Sequence, residues 1–327
     1  MNKDRIGVGL IGLGRHGMRY ARHLAHDIPT ASLRAVCRRH PEQGCELAGA
    51  GSLTIHRTPA ALIADPSVDV VVVVVPPIVA AQICRLAVEA KKPVLIEKPL
   101  AATADEARAM AVFAHDEGVP LMTAQTLRFD GTIQALQKLR DRIGGPERLS
   151  LISKIETKAN APDHADGYGK RGAVLEIGVH VLDLVRFLTG EEVRDVRCMM
   201  DRIPPVAQET QASVHVRTYS GVLCEIEIAR VSGGRVGRLE WIGSRGRLEA
   251  DWIQRQIRCI DEAGTECISF APSQTVLATL LAFLQAVRTG TPIPITGEDG
   301  WRAVELAEAC YQSAQRHGAS VTLPLPH

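Results

Sequence analysis

The feature that most constrains this fold is Gly12-x-Gly14-x-x-Gly17. It follows directly on the apolar run Ile6-Gly7-Val8-Gly9-Leu10-Ile11 and precedes a helix-compatible stretch, Met18 to Ala25. Strand, glycine turn, helix is the order a dinucleotide site needs. Gly12 permits the tight turn, Gly14 lets the backbone come close to a pyrophosphate, and Gly17 lets the helix pack on the strand. The helix N-terminus then offers free N–H groups to the anion. Arg15 and His16 lie inside the same turn and are expected at the cofactor. The competing reading is a glycine-rich βα turn without a ligand.

The pattern continues as repeated βα units. Ser32-Leu33-Arg34-Ala35-Val36 reads as the second strand. An acidic residue at its end would normally hold the adenosine ribose hydroxyls. Cys37-Arg38-Arg39-His40 stands there instead. Arg38 and Arg39 suit a 2′-phosphate, because a guanidinium bonds phosphate through a planar fork. NADP is therefore favoured over NAD, with two solvated loop arginines as the alternative. Leu53 to Ile55 is a weak third strand, and Thr58-Pro59 opens a short helix. The valine run from Val68 to Val75 fits a central parallel strand buried on both faces. Pro76 and Pro77 end it, at a position expected to meet the cofactor, and a helix runs from Ala80 to Ala90. Lys92 to Ile96 is the fifth strand and delivers Glu97-Lys98-Pro99. Thr103-x-x-Glu106 is a capping box for the next helix, and Val119 to Ala124 is the sixth strand. Such repetition implies an α/β, Rossmann-type doubly wound parallel sheet over residues 1–125. Ligands bind such sheets at the carboxyl ends of their strands, which is where Glu97 and Lys98 stand.

At 327 residues the chain is long enough for about two domains. A net charge of +1 gives no field for nucleic acid, and 46% hydrophobic residues allow a real core. The eight cysteines are scattered without a C-x-x-C or zinc spacing, which suits reduced thiols in the cytoplasm. Met1 to Arg5 leads straight into the first strand, leaving no room for a signal peptide. The longest apolar run is shorter than a membrane span and contains Pro76-Pro77.

The second half, 126–327, reads as an α+β domain with a large, mainly antiparallel, open-faced sheet. Gly172 to Gly190 reads as one helix, apolar at nearly every position. Its polar exceptions Glu176, His180 and Asp183 fall at i, i+4 and i+7, on one narrow stripe. Two acids and a histidine aligned on a buried helix look like a site; the competing reading is the helix's solvent face. The strands that follow, among them Val214-His215-Val216-Arg217, alternate apolar and polar residues. His215 belongs to the polar face. The preceding loop carries Asp163, His164 and Asp166, whose spacing matches no metal site, so no metal is expected. Tyr168, Lys170 and Arg171 from the same loop are candidates for substrate contact, and two cations there suit an acidic substrate. Two helices close the chain, the last (about 299–317) expected to pack back towards the first domain.

The glycine turn, Glu97-Lys98-Pro99 and a buried helix with an acid four residues before a histidine together resemble the Gfo/Idh/MocA oxidoreductase family, along essentially the whole chain. The resemblance implies an NAD(P)-dependent dehydrogenase acting on a secondary alcohol of a sugar or polyol. It places the family's lysine, its acid/base histidine and its supporting acid on Lys98, His180 and Glu176; Asp183, from the helix stripe, is read beside them as a further catalytic partner. It implies a homodimer or homotetramer formed through the open sheet face. The same fold also hosts redox-assisted glycoside hydrolases with tightly held NAD, and non-catalytic dinucleotide sensors. The sequence departs from the family pattern in four places. Glu176 replaces the usual Asp, no acid stands near Arg38, and Ala80 stands where a histidine is common. Gln125-Thr126-Leu127-Arg128-Phe129 replaces a His-Asn-Arg-type segment, leaving Gln125 and Arg128 as candidate substrate contacts.

Overall fold

The computed structural model describes residues 5–38, 53–156, 165–203 and 207–325. They form two compact units, 1–126 with 274–301 and 127–273 with 302–327. Residues 274–301 thus group with the first unit, where a single cut after residue 125 would leave them in the second.

The first unit is built on a six-stranded sheet. Its strands are β1 (Ile6–Ile11), β2 (Ala31–Cys37), β3 (Thr54–His56), β4 (Val70–Val73), β5 (Val94–Glu97) and β6 (Leu121–Ala124). They lie in the order β3-β2-β1-β4-β5-β6 and every pair is parallel. The connecting helices are α1 (Gly17–His26), α2 (Pro59–Ala64), α3 (Pro77–Glu89) and α4 (Ala104–Asp116). Strand order reverses between β1 and β4, which places the ligand crevice of such a sheet beside the glycine turn. All four valines of β4 are buried, as a strand covered on both faces requires. The N-cap half of the expected capping box is present: Thr103 Oγ1 accepts from Glu106 N at 3.3 Å. Helix α3 begins at Pro77, three residues before the expected Ala80, because proline fits the first helical position, where an N–H would be orphaned anyway.

The second unit holds a nine-stranded sheet. It comprises β7 (Pro146–Glu156), β8 (Val193–Asp201), β9 (Gln211–Thr218), β10 (Leu223–Val231), β11 (Val236–Gly243), β12 (Gly246–Asp251), β13 (Gln256–Asp261), β14 (Gly264–Ser269) and β15 (Val321–Thr322). The order is β14-β13-β12-β11-β7-β10-β9-β8-β15, and only β7–β10 is parallel. Strand β9 alternates exposed and buried residues along its whole length. One face is therefore covered and the other carries polar side chains. Helices α5 (Gly131–Ile143) and α6 (Val179–Thr189) belong to this unit.

Two helices follow the large sheet, α7 (Thr275–Thr289) and α8 (Gly297–Gln315). Helix α7 packs against α1 and β6 in the first unit. The opening turn of α8 lies in the same unit, where a Cβ at Gly300 would stand 2.1 Å from Thr123 Oγ1. The helix read over 172–190 runs without a break from residue 173 and contains a π turn, Val174–Gly178, directly ahead of α6. Gly190, at φ +72°, closes it in the left-handed conformation that glycine adopts without penalty. Strands β13, β14 and β15 and helix α5 are additions to the sequence reading. Strand β14 has no buried position, so it carries no alternation to read.

Candidate active site

In the first unit the glycine turn divides its glycines by cause. Gly12 has φ +96°, and a Cβ there would lie 2.1 Å from Val74 O. A Cβ at Gly17 would lie 2.0 Å from Gly12 O. Both are required by the protein's own backbone. At Gly14, by contrast, no protein atom lies within 4 Å of where a Cβ would sit. The space over that residue is open, at the N-terminus of α1, where free N–H groups favour an anion. The turn thus fits the pyrophosphate of a dinucleotide.

Glu97, at the carboxyl end of β5, is only 8% exposed. Its Oε1 accepts from the Tyr20 hydroxyl at 2.5 Å and meets His16 Nε2 at 2.6 Å, while Oε2 accepts from Lys98 N at 3.0 Å. Burial alone would raise this carboxyl. The hydrogen bond and charge of His16, the charge of Lys98 and the Tyr20 hydroxyl outweigh it and hold the group below the usual carboxylate range. Burial, followed by the Glu97 charge, pushes Tyr20 well up. Glu97 and His16 were both expected at the cofactor. Their side chains tie the glycine turn and α1 to the end of β5, because a buried carboxylate needs donors. Arg15 is exposed. Lys98 is half-buried and precedes Pro99 through a cis peptide bond.

Arg38 follows β2 directly and is half-buried; Arg39 lies outside the described residues. Pro76 is exposed and Pro77 buried. Ile78 and Val79, in the first turn of α3, stand 47% and 43% exposed at the same carboxyl edge. They are apolar candidates for cofactor contact that the sequence reading missed; the only signal was two large aliphatics directly after a Pro-Pro stop. Gln125 follows β6 and is 1% exposed, yet neither its Oε1 nor its Nε2 has a hydrogen-bond partner among the described residues. An unsatisfied buried amide is costly, and a ligand would supply its partners. The parallel register sets Glu97 beside Ala124, so Gln125 and Lys98 are the next neighbours on adjacent strands.

In the second unit the helix stripe is engaged with partners from elsewhere in the chain. Glu176 forms an ion pair with Arg230 of β10. Asp183 is 1% exposed, and its Oδ2 and Oδ1 accept from Arg128 Nε and Nη2 at 2.7 and 2.6 Å. The same guanidinium lies 5.1 Å from the Phe187 ring centroid. Arg128, expected to contact substrate, is thus buried and commits its fork to Asp183. His180 sits between the two pairs in sequence and is half-buried. The π turn just before it is a form of helix frequent at functional sites.

The start of this helical segment is held by a carboxylate that the sequence reading missed. Glu209 accepts from Gly172 N at 3.0 Å, Val174 N at 3.1 Å and the Tyr311 hydroxyl at 2.6 Å. It caps N–H groups that have no partner within the helix. Arg171 pairs with Glu308 at 2.6 Å and stacks on Tyr311 at 4.7 Å, so it too is anchored inside the unit. Tyr168 is half-buried at the end of a short 3-10 turn, and Lys170 is exposed with φ +62°. Asp163 and His164 lie outside the described residues. Among the described residues no cluster of His, Cys, Asp or Glu has a metal-binding arrangement, and no helix is long and apolar enough to cross a membrane.

Comparison with known proteins agrees with this architecture. Residues 6–125 match the model of an oxidoreductase family with an NAD-binding Rossmann fold, Gfo/Idh/MocA, and residues 140–249 match a Gfo/Idh/MocA C-terminal domain. The myo-inositol 2-dehydrogenase of Thermotoga maritima is 29% identical, over 94% of this chain and 96% of its own. The D-apiose dehydrogenase of Paraburkholderia graminis is 28% identical, over 96% of this chain and 88% of its own. Among solved structures, an oxidoreductase domain protein from Kribbella flavida superimposes with a TM-score of 0.87 at 25% identity, covering 98% of this chain and 100% of its own. The glycine turn, the order of the parallel sheet and the second, mainly antiparallel sheet all agree with these matches, and the chain belongs to the Gfo/Idh/MocA oxidoreductase family.

Proposed function

We propose that this chain is an NAD(P)-dependent dehydrogenase that oxidises a secondary alcohol of a sugar or polyol, with NADP favoured over NAD. The observation that carries the reading is Gly14, a glycine that no protein atom requires, in a turn whose other two glycines the backbone does require. The relatives named for inositol and apiose support the substrate class. Bound nicotinamide supplies the hydride acceptor or donor. His180 takes or returns the hydroxyl proton, and Lys98 steadies the negative charge that develops on the substrate oxygen. Glu176 supports His180 or binds a neighbouring hydroxyl. Gln125, with Tyr168 and Lys170, contacts substrate. Arg38, with Arg39, carries the preference for a 2′-phosphate. The enzyme works in the cytoplasm as a homodimer or homotetramer formed through the open face of the large sheet.

The test is a titration with NADPH and NADH, followed by nicotinamide absorbance against polyols, sugars and sugar acids. NADPH is expected to bind more tightly, and Arg38→Ala to remove most of that preference. Lys98→Ala and His180→Ala are each expected to abolish turnover while nucleotide still binds. Full turnover in both variants would overturn the assignment. Binding without turnover on any substrate would move the reading to a redox-assisted hydrolase or a sensor.

A further inference from the structure

The helix that carries His180 contains the π turn Val174–Gly178, and the chain is held on both sides of it. On the C-terminal side most of α6 is buried, and Asp183 is fixed to Arg128. On the N-terminal side three successive N–H groups end on one residue. Gly172 N and Val174 N donate to the Glu209 carboxylate at 3.0 and 3.1 Å, and Ala173 N donates to the Glu209 carbonyl at 3.0 Å. A helix cannot satisfy N–H groups at its own start. The approach is close, for a Cβ at Gly172 would lie 2.2 Å from Glu209 O. Tyr311 of α8 donates its hydroxyl to Glu209 Oε1 at 2.6 Å. Burial, followed by the Glu209 charge, pushes that hydroxyl well up, so it stays a donor. Arg171 lies over the Tyr311 ring at 4.7 Å and pairs with Glu308 at 2.6 Å, which fixes the ring in turn.

Two fixed ends account for the π turn. An α-helix closes i→i−4 bonds, and a π turn takes in one residue more at poorer geometry. Such a turn persists where the chain between two anchors is one residue too long for a regular helix. An α-helix turns about 100° per residue, so the extra residue changes the angle at which Glu176 stands relative to His180. At that angle Glu176 meets Arg230 of β10. Gly178 packs on the same strand, where a Cβ would stand 2.6 Å from Ile228 Cδ1. We propose that Glu209 is a positioning residue for the proton transfer assigned to His180: by gripping residues 172–174 it keeps the π turn, and with it the angle between Glu176 and His180, while Tyr311 holds Glu209. The catalytic consequence rests on the dehydrogenase reading; the hold on the turn does not. Misplacing a reacting group by about 1 Å can cost on the order of a hundredfold in rate, so the effect belongs in kcat.

Crystal structures of full-length variants, with steady-state kinetics on the preferred nucleotide and the alcohol that the parent oxidises, test this. Glu209→Ala is expected to turn residues 174–178 into regular i→i−4 helix and to lower kcat about tenfold or more. KM for the alcohol and Kd for the nucleotide should stay within about twofold, because the grip is on helix backbone and not on either ligand. Tyr311→Phe keeps the ring beside Arg171 and removes one donor to Glu209, so it should lower kcat less, by about threefold or more. It carries the test if Glu209→Ala does not fold. The control is Arg142→Gln, which breaks the pairs to Asp261 and Glu266 elsewhere in the same unit and should leave kcat unchanged. A π turn that persists in Glu209→Ala overturns the proposal, and so does an unchanged kcat in Tyr311→Phe. A loss carried by KM, or one no greater than the control's, overturns it as well. If the parent oxidises no alcohol, the dehydrogenase reading fails, and the crystal structures alone decide whether Glu209 holds the turn.

Discussion

Asp183→Asn separates a structural role from a catalytic one. The side chains of Arg128 and Asp183 are 9% and 1% exposed, so solvent screens the pair little. The substitution keeps shape and one acceptor but removes the counter-charge that Asp183 presents to a buried guanidinium. Breaking one partner of a buried ion pair costs roughly 3–5 kcal/mol, and the retained acceptor places this case near about 3 kcal/mol. Against a whole-domain stability of about 5–15 kcal/mol that is a large loss. Arg128→Met/Asp183→Leu removes both charges and fills the space with apolar atoms, so it should lie within about 2 kcal/mol of the parent. Urea unfolding followed by tryptophan fluorescence reads this. Trp241 and Trp252 belong to the second unit and Trp301 to the first, so a Trp301→Phe background isolates the relevant transition. A loss below about 1 kcal/mol in Asp183→Asn would refute the reasoning. So would a double variant at least as unstable as the single one.

Gly12→Ala and Gly17→Ala should each lose on the order of 1–3 kcal/mol, because a Cβ would stand 2.1 and 2.0 Å from backbone oxygen; Gly14→Ala should stay within about 0.5 kcal/mol yet bind NADPH more weakly, as melting and fluorescence titration would show. Equal destabilisation by all three would contradict the division of roles in the turn. For Glu97, the folded pKa lies below the ordinary 4.5, so its contribution is complete above that value and is lost as pH falls through the folded one. The stability gap between parent and Glu97→Gln should therefore narrow between pH 7 and pH 3; a constant gap would mean that the His16 and Lys98 charges do not act on it. Removing the cap with Glu209→Ala should cost roughly 1–2 kcal/mol and lower the unfolding midpoint of the second unit, since the Gly172 and Val174 N–H groups lose their acceptor.

The elements that position the site were legible because local chemistry specifies them. The glycine turn, the valine run of β4 and the Thr103 cap each follow from residues within a few positions of one another. What sequence could not supply was the partner of each polar group. Glu97 and His16 are 81 positions apart, Arg128 and Asp183 55, and Glu176 and Arg230 54. The spacing of Glu176, His180 and Asp183 picked out polar residues within an apolar segment, and two of them form ion pairs. Periodicity, however, reports only that a side chain is turned in a given direction; whether it meets a guanidinium or a ligand depends on which strand or turn arrives there. The acids of that stripe meet arginines from β10 and from the turn after β6. They would hold the helix that carries His180 in place by ion pairs whose strength does not depend on substrate. Rigid support of that kind is what a proton-transferring group requires, since an ångström of misplacement can cost on the order of a hundredfold in rate. Arg230→Gln should then lower kcat more than it raises KM. The reverse split would make the Glu176–Arg230 pair a contact to the substrate itself.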